Sequence, residues 1–261
     1  MARRRLQDKR ALVTGASGGI GRAIALELAR SGVDQMLIAR RGDKLAAVVA
    51  EIARIGRRAE AVVGDVTDRA VRRQGLEAAR DALGGLDILV NNAGISAHGR
   101  FADADPDRLR PIMETNFFAP VELTREALPL LREGREPIVV NISSVLGQRG
   151  CPHKSEYCAS KFALRGFSES LRAELAPLGI DVLVVTAGPT DTEFFQHLIE
   201  EHGELPWAEG KPVSPERVAR ATIRAMKRGR HEIVPSWRGW LLVTVNRLFP
   251  RLVDRAMSRY G

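Results

Sequence analysis

The sequence has little cysteine, no long apolar run and no apolar leader. Its two cysteines, Cys151 and Cys158, are too few for a disulfide framework, which indicates a reducing compartment. No stretch reaches the roughly 18 apolar residues that a membrane span needs, and residues 1–10 lack the apolar core of a signal peptide. We therefore expect a cytoplasmic protein that is not exported by that route.

Positive charge is concentrated at the two ends of the chain. Residues 1–10 carry a net +4 and residues 224–261 a net +7, so the body at 11–223 carries −3 within the total of +8. An acidic body argues against a nucleic-acid groove, and we predict no nucleic-acid partner. The basic ends are typical of solvated surface, but they are also compatible with contact to an anionic membrane surface or partner.

Short apolar runs alternate with longer helical patterns along the chain. Seven runs are strand candidates, at 10–13, 35–38, 61–63, 87–90, 138–141, 181–185 and, more weakly, 231–234. Helical patterns separate them, at 20–30, 43–54, 69–82, 106–131, 156–175 and from the capped Ser-Pro-Glu at 214–216. This alternation predicts one α/β domain, a Rossmann-type doubly wound parallel sheet of about seven strands with helices on both faces.

A glycine-rich turn follows the first predicted strand. Residues 14–21 read Thr-Gly-Ala-Ser-Gly-Gly-Ile-Gly and open the first helix. Such a turn lets the backbone approach a pyrophosphate, and the helix adds free amide donors and the positive end of its dipole. Tight turns of other kinds also produce such glycines, so the position between strand and helix supports the prediction. The candidate cofactor contacts here are Gly15, Ser17, Gly19, Ile20 and Gly21.

The end of the second strand predicts which dinucleotide binds. An acid there would hydrogen-bond both ribose hydroxyls of NAD, whereas a basic residue would pair with the 2′-phosphate of NADP. The chain reads Ile-Ala-Arg-Arg at 38–41, with no acid before Asp43. Arg40 and Arg41 can form charge-assisted hydrogen bonds with a phosphate, the alternative being that both are solvated loop charges. We therefore predict NADP(H) as the cofactor.

Tyr157 and Lys161 are four residues apart on a predicted helix, so their side chains share one face. A phenol near pKa 10 is a poor base at neutral pH, but a neighbouring ammonium and an oxidised nicotinamide would both lower its pKa. Tyr157 could then donate a proton during reduction or accept one during oxidation. Because Tyr-x-x-x-Lys alone is common on ordinary helices, the prediction needs further residues.

These motifs together resemble the classical short-chain dehydrogenase/reductase family. Ser144 ends the fifth strand thirteen residues before Tyr157, which is the family's spacing, and Asn116 matches the family's helix asparagine. The resemblance implies a tetrad of Asn116, Ser144, Tyr157 and Lys161. In it, Ser144 hydrogen-bonds the substrate oxygen and Asn116 holds a water that links Lys161 to solvent. The neighbouring Ser143 alternates to the other side of the sheet, so it is not expected to take part.

The resemblance covers about residues 9–235 and implies further cofactor contacts. These are Asp65 and Val66 after the third strand, Asn92, Ala93 and Gly94 after the fourth, Gly188, Thr190 and Thr192 after the sixth, and the catalytic Tyr157 and Lys161. The chain departs from the family's Pro-Gly after the sixth strand, where it has Ala187 before Gly188. Losing the proline frees φ at 187, so the geometry of this loop is an open point.

Two segments bear on the substrate and on partners. Residues 193–213 are expected to form a lid within the domain at 1–235, with an amphipathic helix packed on the core as the alternative. The lid's apolar residues are Phe194, Phe195, Leu198, Ile199 and Trp207. Residues 236–261 form a basic amphipathic extension in which Pro250 should kink or end the helix. We favour packing of its apolar stripe on protein, over the cleft or on another subunit, with a membrane surface as the alternative.

The sequence thus predicts an NADP(H)-dependent oxidoreductase that acts on an apolar ketone, aldehyde or secondary alcohol. The alternatives are a lipid or steroid ketoreductase peripheral at a membrane surface, and a non-catalytic protein that senses NADP(H). The resemblance implies a homodimer or homotetramer, as closed symmetry makes common. No metal site is predicted.

Overall fold

Seven parallel strands form the centre of the computed structural model, which describes residues 4–196, 198–201 and 212–260. The strands are β1 (Arg10–Thr14), β2 (Asp34–Ala39), β3 (Ala59–Val63), β4 (Ile88–Asn91), β5 (Ile138–Ser144), β6 (Asp181–Ala187) and β7 (Glu232–Ile233). They pair in the order β3-β2-β1-β4-β5-β6-β7. The doubly wound parallel sheet predicted from the sequence is confirmed.

Helices cover both faces of this sheet. On one face lie α1 (Gly19–Arg30), α2 (Gly42–Arg54) and α7 (Pro215–Lys227), and on the other lie α3 (Arg69–Leu83), α5 (Ala119–Arg132) and α6 (Ser155–Leu175). Side chains alternate along each strand, so Ala11 and Val13 join the first core while Leu12 joins the second. Because both faces are buried, the central strands are mostly apolar, and the polar residues within them, such as Gln35, Asn91 and Asn141, are buried.

The strand order reverses between β1 and β4, which places a crevice at the carboxyl edge of the sheet. The chain leaves β1 for β2 and β3 on one side, and returns to pair β4 with β1 on the other. In doubly wound sheets, ligands bind outside the carboxyl ends of the strands at such a switch point. The loops after β1, β4, β5 and β6 meet at this edge and contain part of the candidate functional residues, while Tyr157 and Lys161 lie on α6.

One predicted helix, at 106–131, is interrupted in the structure. A short α4 (Leu109–Met113) runs into a π-helical turn at Glu114–Phe118, and α5 follows. Pro120 near the start of α5 has no N–H to donate to the carbonyl of Asn116, which is the acceptor that an α-helix would use. The wider turn precedes this proline and contains Asn116. Such turns are common at functional sites.

The C-terminal extension folds as two helices, α8 (Trp237–Leu248) and α9 (Pro250–Met257). The break at Phe249 confirms the prediction that Pro250 ends the helix. The predicted packing of the apolar stripe is not met within this chain, because Trp237 is 65% and Leu248 64% exposed. Among the described helices, none has the length and apolarity required to cross a bilayer.

Candidate active site

The turn between β1 and α1 is tightly packed against the loop after β4. Gly15 and Gly19 have φ of 65° and 52°, which favours glycine. A Cβ at Gly21 would lie 2.3 Å from the Gly15 carbonyl oxygen, and one at Gly15 would lie 2.8 Å from Asn92 Nδ2. The backbone therefore occupies space that side chains would otherwise fill, and a ligand can approach the main chain closely.

Thr14 and Asn92 join the ends of β1 and β4. The hydroxyl of Thr14 accepts hydrogen bonds from the backbone N–H groups of Asn92 at 3.0 Å and Ala93 at 3.1 Å. The Asn92 amide donates to the Thr14 carbonyl at 2.9 Å. In the same loop, a Cβ at Gly94 would lie 3.6 Å from Lys161 Nζ. The glycine turn and the residues on α6 therefore border the same crevice.

Ser144, Tyr157 and Lys161 come together at the carboxyl end of β5. The Tyr157 hydroxyl lies near that of Ser144, which acts to lower the pKa of the phenol, and the Ser144 oxygen accepts from Leu146 N at 3.1 Å. Lys161 Nζ lies 5.7 Å from the centre of the Tyr157 ring and donates to the Ile142 carbonyl at 3.0 Å. The helix spacing of Tyr157 and Lys161 and the strand end at Ser144 thus give one cluster of hydroxyl, phenol and ammonium.

Ser143 is excluded from this cluster by strand alternation. Its hydroxyl donates to the Lys161 carbonyl at 3.4 Å, on the side of the strand that faces the backbone of α6. A Cβ at Gly147 would lie 2.8 Å from the same hydroxyl oxygen. Ser143 therefore packs within the protein, while Ser144 faces the Tyr157 hydroxyl.

Burial changes the pKa values of both α6 groups. It raises the pKa of Tyr157 to about 12, against the lowering effect of the Ser144 hydrogen bond. It lowers the pKa of Lys161 to about 8. At neutral pH the protein alone therefore holds a protonated phenol beside a charged ammonium, which is the state of a proton donor.

Asn116 makes three hydrogen bonds inside the protein. Its amide donates to the Ile95 carbonyl at 2.9 Å and to Ser160 Oγ at 3.0 Å, and its oxygen accepts from Ile95 N at 2.9 Å. Both amide hydrogens are used by protein acceptors, so this side chain fixes the loop after β4 against α6. The water link to Lys161 that the family resemblance implies stays a prediction.

Arg40 and Arg41 differ in how they are held. The Arg40 side chain is 67% exposed, and its guanidinium lies 3.5 Å from an Asp65 carboxylate that also accepts two hydrogen bonds from Thr67. Arg41 pairs with Glu193 at 2.5 Å and donates to Ser17 Oγ at 3.3 Å. Arg40 is the more available of the two for a phosphate, because its bond to Asp65 is long and exposed.

Glu193 is a site residue that the sequence did not reveal. It accepts from Lys44 Nζ at 2.6 Å as well as from Arg41, and these partners lower its pKa to about 2. The pairing joins the loop after β6 to the start of α2, 149 residues apart in the chain. The predicted lid at 193–213 included Glu193, but no role was predicted for it. The one sequence signal was its position directly after Thr192, a predicted cofactor contact.

A cleft of about 500 Å³ lies between the glycine turn and the loop after β6. It is lined by Ser17, Gly18, Gly19, Arg22, Lys44, Ala47, Asp191, Thr192, Glu193, Pro215 and Glu216. Thr192 reaches across it, because a Cβ at Gly19 would lie 3.1 Å from the Thr192 methyl group. Its side chains carry both signs of charge, so the feature that suits an anionic ligand is the set of backbone amides at the start of α1.

Gly188 lies against the start of the C-terminal extension. A Cβ there would lie 2.9 Å from Ser236 Oγ. Thr190 donates to the Gly188 carbonyl at 2.9 Å, and the backbones of Thr190 and Val213 form an isolated bridge. These contacts order the loop without the proline that the family usually has there. Cofactor contacts from Gly188 and Thr190 stay a prediction.

The lid prediction is only partly within the described residues. Phe194 lies beside the cluster of Ser144, Tyr157 and Lys161, with its ring centre 6.0 Å from that of Tyr157. Ile199 N donates to the Ser96 carbonyl at 3.0 Å, which ties this segment to the loop after β4. Trp207 and the side chain of Phe195 lie outside what the structure describes.

A buried ion cluster next to Tyr157 was also missed from the sequence. Arg108 contacts Glu156 through two hydrogen bonds, at 2.9 and 3.0 Å, and reaches Glu200 at 3.2 Å. The side chains of Arg108 and Glu156 are only 2% and 7% exposed. No sequence pattern links these residues, because the pairs span 48 and 92 positions.

No cluster of three or more His, Cys, Asp or Glu side chains that could hold a metal ion occurs within 4–196, 198–201 and 212–260. The two cysteines are also poor ligands and nucleophiles as they stand. Burial raises the pKa of Cys151 to about 12 and that of Cys158 above its ordinary value. Neither thiol is therefore expected to be a thiolate at neutral pH.

Comparison with known proteins identifies the family. The chain matches the short chain dehydrogenase family over residues 9–203. It is 30% identical to a ketoacyl reductase of Nostoc sp. (98% of this chain, 90% of the relative) and 35% identical to the hydroxysteroid 11-beta-dehydrogenase 1-like protein A of Xenopus laevis (98% and 87%). A Burkholderia cenocepacia short chain dehydrogenase solved with NADP is 34% identical, with a TM-score of 0.78 over 88% of this chain and 97% of the other. The chain therefore belongs to the short-chain dehydrogenase family of oxidoreductases.

Lys161 gives rise to a pH-dependent contribution to stability. Its pKa is near 10.5 in the unfolded chain and about 8 when folded, so between these values the unfolded state binds the extra proton. The free energy of unfolding then rises with pH, by at most about 1.4 kcal/mol per pH unit. We expect urea unfolding from about pH 8 to pH 10 to show this rise in the wild type relative to Lys161→Met.

The upper limit of that window is set by Tyr157. Its raised pKa acts with the opposite sign between about 10 and 12, where the folded state retains the phenolic proton. A difference between wild type and Lys161→Met that stays flat or falls between pH 8 and 10 would contradict the burial of the ammonium.

Proposed function

We propose that this chain is an NADP(H)-dependent reductase of ketones or aldehydes, reversible as a secondary alcohol dehydrogenase. The observation that carries the proposal is the convergence of Ser144, the Tyr157 phenol and the Lys161 ammonium at the carboxyl end of β5. This cluster lies at the crevice bordered by the glycine turn. The bound nicotinamide would supply or accept the hydride.

The protein groups then have separate tasks. Ser144 donates a hydrogen bond to the substrate oxygen and orients it, while Tyr157 gives the proton that becomes part of the product hydroxyl. We assign to Lys161 the stabilisation of negative charge on the phenol oxygen, which would act against the burial that raises the pKa of Tyr157. Asn116 holds the loop after β4 against α6 and so acts as a positioning residue.

The cleft beside this cluster fits a dinucleotide. The crowded backbone at Gly15 and Gly21 leaves amide groups accessible at the start of α1, where a pyrophosphate binds favourably. We assign Arg40 to a 2′-phosphate. Arg41 could join it once the phosphate replaces Glu193 as the partner of Arg41. The NADP in the Burkholderia cenocepacia structure supports this choice.

We also propose that the substrate is apolar. Phe194 beside Tyr157 gives the cluster an apolar neighbour. The names of the Nostoc and Xenopus laevis relatives, a ketoacyl reductase and a hydroxysteroid dehydrogenase-like protein, point in the same direction. We therefore propose a lipid-like or steroid-like carbonyl as the substrate class.

The proposal is tested by following NADPH consumption with a panel of keto-esters, steroids, 3-oxoacyl thioesters and aldehydes. Turnover with NADPH, absent in Tyr157→Phe, supports it. Faster turnover with NADH than with NADPH would contradict the assignment of Arg40. Tight NADPH binding without turnover on any panel member would instead favour the non-catalytic sensor.

Arg40 provides the sharpest test of cofactor choice. We expect Arg40→Ala to raise the KM for NADPH by about tenfold or more, because a hydrogen bond between two charged groups contributes about 1.5–3 kcal/mol. The KM for NADH should stay within about twofold, since no phosphate is lost. The control is Arg58→Ala, an arginine that is 69% exposed at the amino-terminal edge of the sheet. An equal loss with both cofactors would contradict the assignment.

A homodimer or homotetramer is proposed for the assembly. Phe118, at the end of the π-helical turn before α5, and Phe162, on α6, are 45% and 43% exposed, so two adjacent helical segments present large apolar side chains to solvent. Burying such side chains in a symmetric contact is favourable. Light scattering of the purified full chain measures the assembly directly.

A further inference from the structure

A strip of exposed apolar side chains runs along the C-terminal extension. With 3.6 residues per turn, Trp237, Trp240, Leu241 and Leu248 share one side of α8, and each is between 46% and 65% exposed. Phe249 and Leu252, 60% and 61% exposed, follow at the junction with α9. These six residues are called the apolar strip below.

The opposite side of α8 is firmly attached to the protein. A Cβ at Gly239 would lie 3.0 Å from a Val145 methyl carbon, and Asn246 donates to the Gln148 carbonyl at 3.2 Å. In α9, Asp254 pairs with Arg149 at 2.6 Å. These contacts are all made to the segment directly after β5, so the orientation of the helix is fixed. The apolar strip therefore faces away from the part of the chain that the structure describes.

The charges around the strip are nearly all positive. Residues 237–257 contain four arginines, at 238, 247, 251 and 255, all of them exposed. The Arg238 guanidinium lies 5.5 Å from the centre of the Trp237 ring, so cation and aromatic ring share one surface. The single acid in this range, Asp254, is paired with Arg149. The apolar strip therefore fits a partner with an apolar interior, and the arginines fit negative charge at the surface of that partner.

We propose that the apolar strip docks peripherally on a bilayer containing anionic phospholipids. Trp and Leu side chains enter the interfacial layer, and the four arginines contact lipid phosphates. A second copy of this chain fits less well. A symmetric contact through the strip would bring both sets of arginines together, and α8 and α9 supply no second acid to offset them. This surface is independent of the proposed catalytic reaction.

The test is co-sedimentation of the full chain with vesicles of phosphatidylcholine alone and of phosphatidylcholine mixed with phosphatidylserine. We expect binding to the mixed vesicles to be about tenfold or more tighter, and to weaken at high salt. Trp240→Ser with Leu241→Ser should lower this binding about tenfold or more. Arg247→Ala with Arg251→Ala should remove the preference for phosphatidylserine.

The matched control is Leu178→Ser with Ile55→Ser. These residues are 44% and 37% exposed and lie before β6 and β3, at the opposite edge of the sheet. The control should bind vesicles as the wild type does, and an unchanged unfolding midpoint shows that each variant is folded. Because none of these side chains belongs to the catalytic cluster, NADPH binding provides a second check on folding.

Three results would overturn the proposal. The first is no sedimentation with either vesicle, and the second is sedimentation that the strip variant leaves unchanged. The third is a wild-type oligomer that the strip variant converts to a smaller species in light scattering, without vesicle binding, which would assign the strip to a second copy. Lipid binding that the strip variant lowers, with an unchanged oligomeric state, supports it.

Discussion

Tyr157→Phe is expected to lower kcat for carbonyl reduction by about 10²–10⁴-fold, because the substrate oxygen loses its proton donor. The phenyl ring keeps its packing beside Phe194, whose ring centre is 6.0 Å away, so the fold should be preserved. The measurement is NADPH oxidation under saturating cofactor, with NADPH binding followed separately. We expect the dissociation constant for NADPH to change by less than about threefold, since tenfold would correspond to 1.4 kcal/mol.

The adjacent serines provide a matched control. Ser144→Ala should lower kcat by about 10²-fold, as expected for removal of one oriented donor to the reacting oxygen. Ser143→Ala should retain nearly all of the activity, because its hydroxyl is directed to the Lys161 carbonyl. Appreciable activity in Tyr157→Phe, or an equal loss in the two serine variants, would refute the proposed roles.

Arg108→Ala is expected to lower the free energy of unfolding by about 3–5 kcal/mol, because it leaves buried carboxylates without their counter-charge. Burial acts to raise the pKa of Glu156, and the hydrogen bonds from Arg108 and Ser155 hold it below its ordinary value instead. Glu200, 13% exposed, would lose its contact with the guanidinium and keep the hydrogen bond from Asp105 N at 3.2 Å. Urea unfolding at neutral pH without cofactor measures the effect.

The control for Arg108 is Arg69→Ala. Arg69 is 75% exposed and lies 3.7 Å from Glu126, and exposed pairs of this kind contribute at most about 1 kcal/mol. The double variant Arg108→Met with Glu156→Met should recover part of the loss, because neither charge then stays buried alone. A change below about 1 kcal/mol in Arg108→Ala would show that water reaches Glu156 in the folded protein.

The sheet and most of its helices could be predicted because local sequence determines them. Buried parallel strands read as short apolar runs, and the capped Ser-Pro-Glu at 214–216 marks the start of α7. Ser214 Oγ accepts from Arg217 N at 3.3 Å, as a cap should. The interruption before α5 was missed because a proline near the start of a helix normally marks its beginning, whereas Pro120 follows a helical turn.

Residue spacing was enough to predict that Tyr157 and Lys161 lie close together, but it did not predict the ion pairs around them. Tyr157 and Lys161 lie on one helix face, so a four-residue interval is enough to bring them together. Arg108 meets Glu156 only through the packing of two helical segments. Likewise, the periodicity of the C-terminal extension shows that it is amphipathic, but it does not say which side contacts the protein; Gly239 and Asn246 determine that.

The carboxylate at position 193 couples two parts of the molecule that are usually treated separately. It holds the beginning of the segment that we predict to cover the substrate, and it pairs with Arg41, one of the groups that we assign to the cofactor's outer phosphate. A phosphate that takes Arg41 would have to displace Glu193, so we expect cofactor binding to change how the start of this segment is held. We therefore expect substitutions at Glu193 that aim at a wider substrate range to change the rate of cofactor release as well, so both have to be optimised in the same screen.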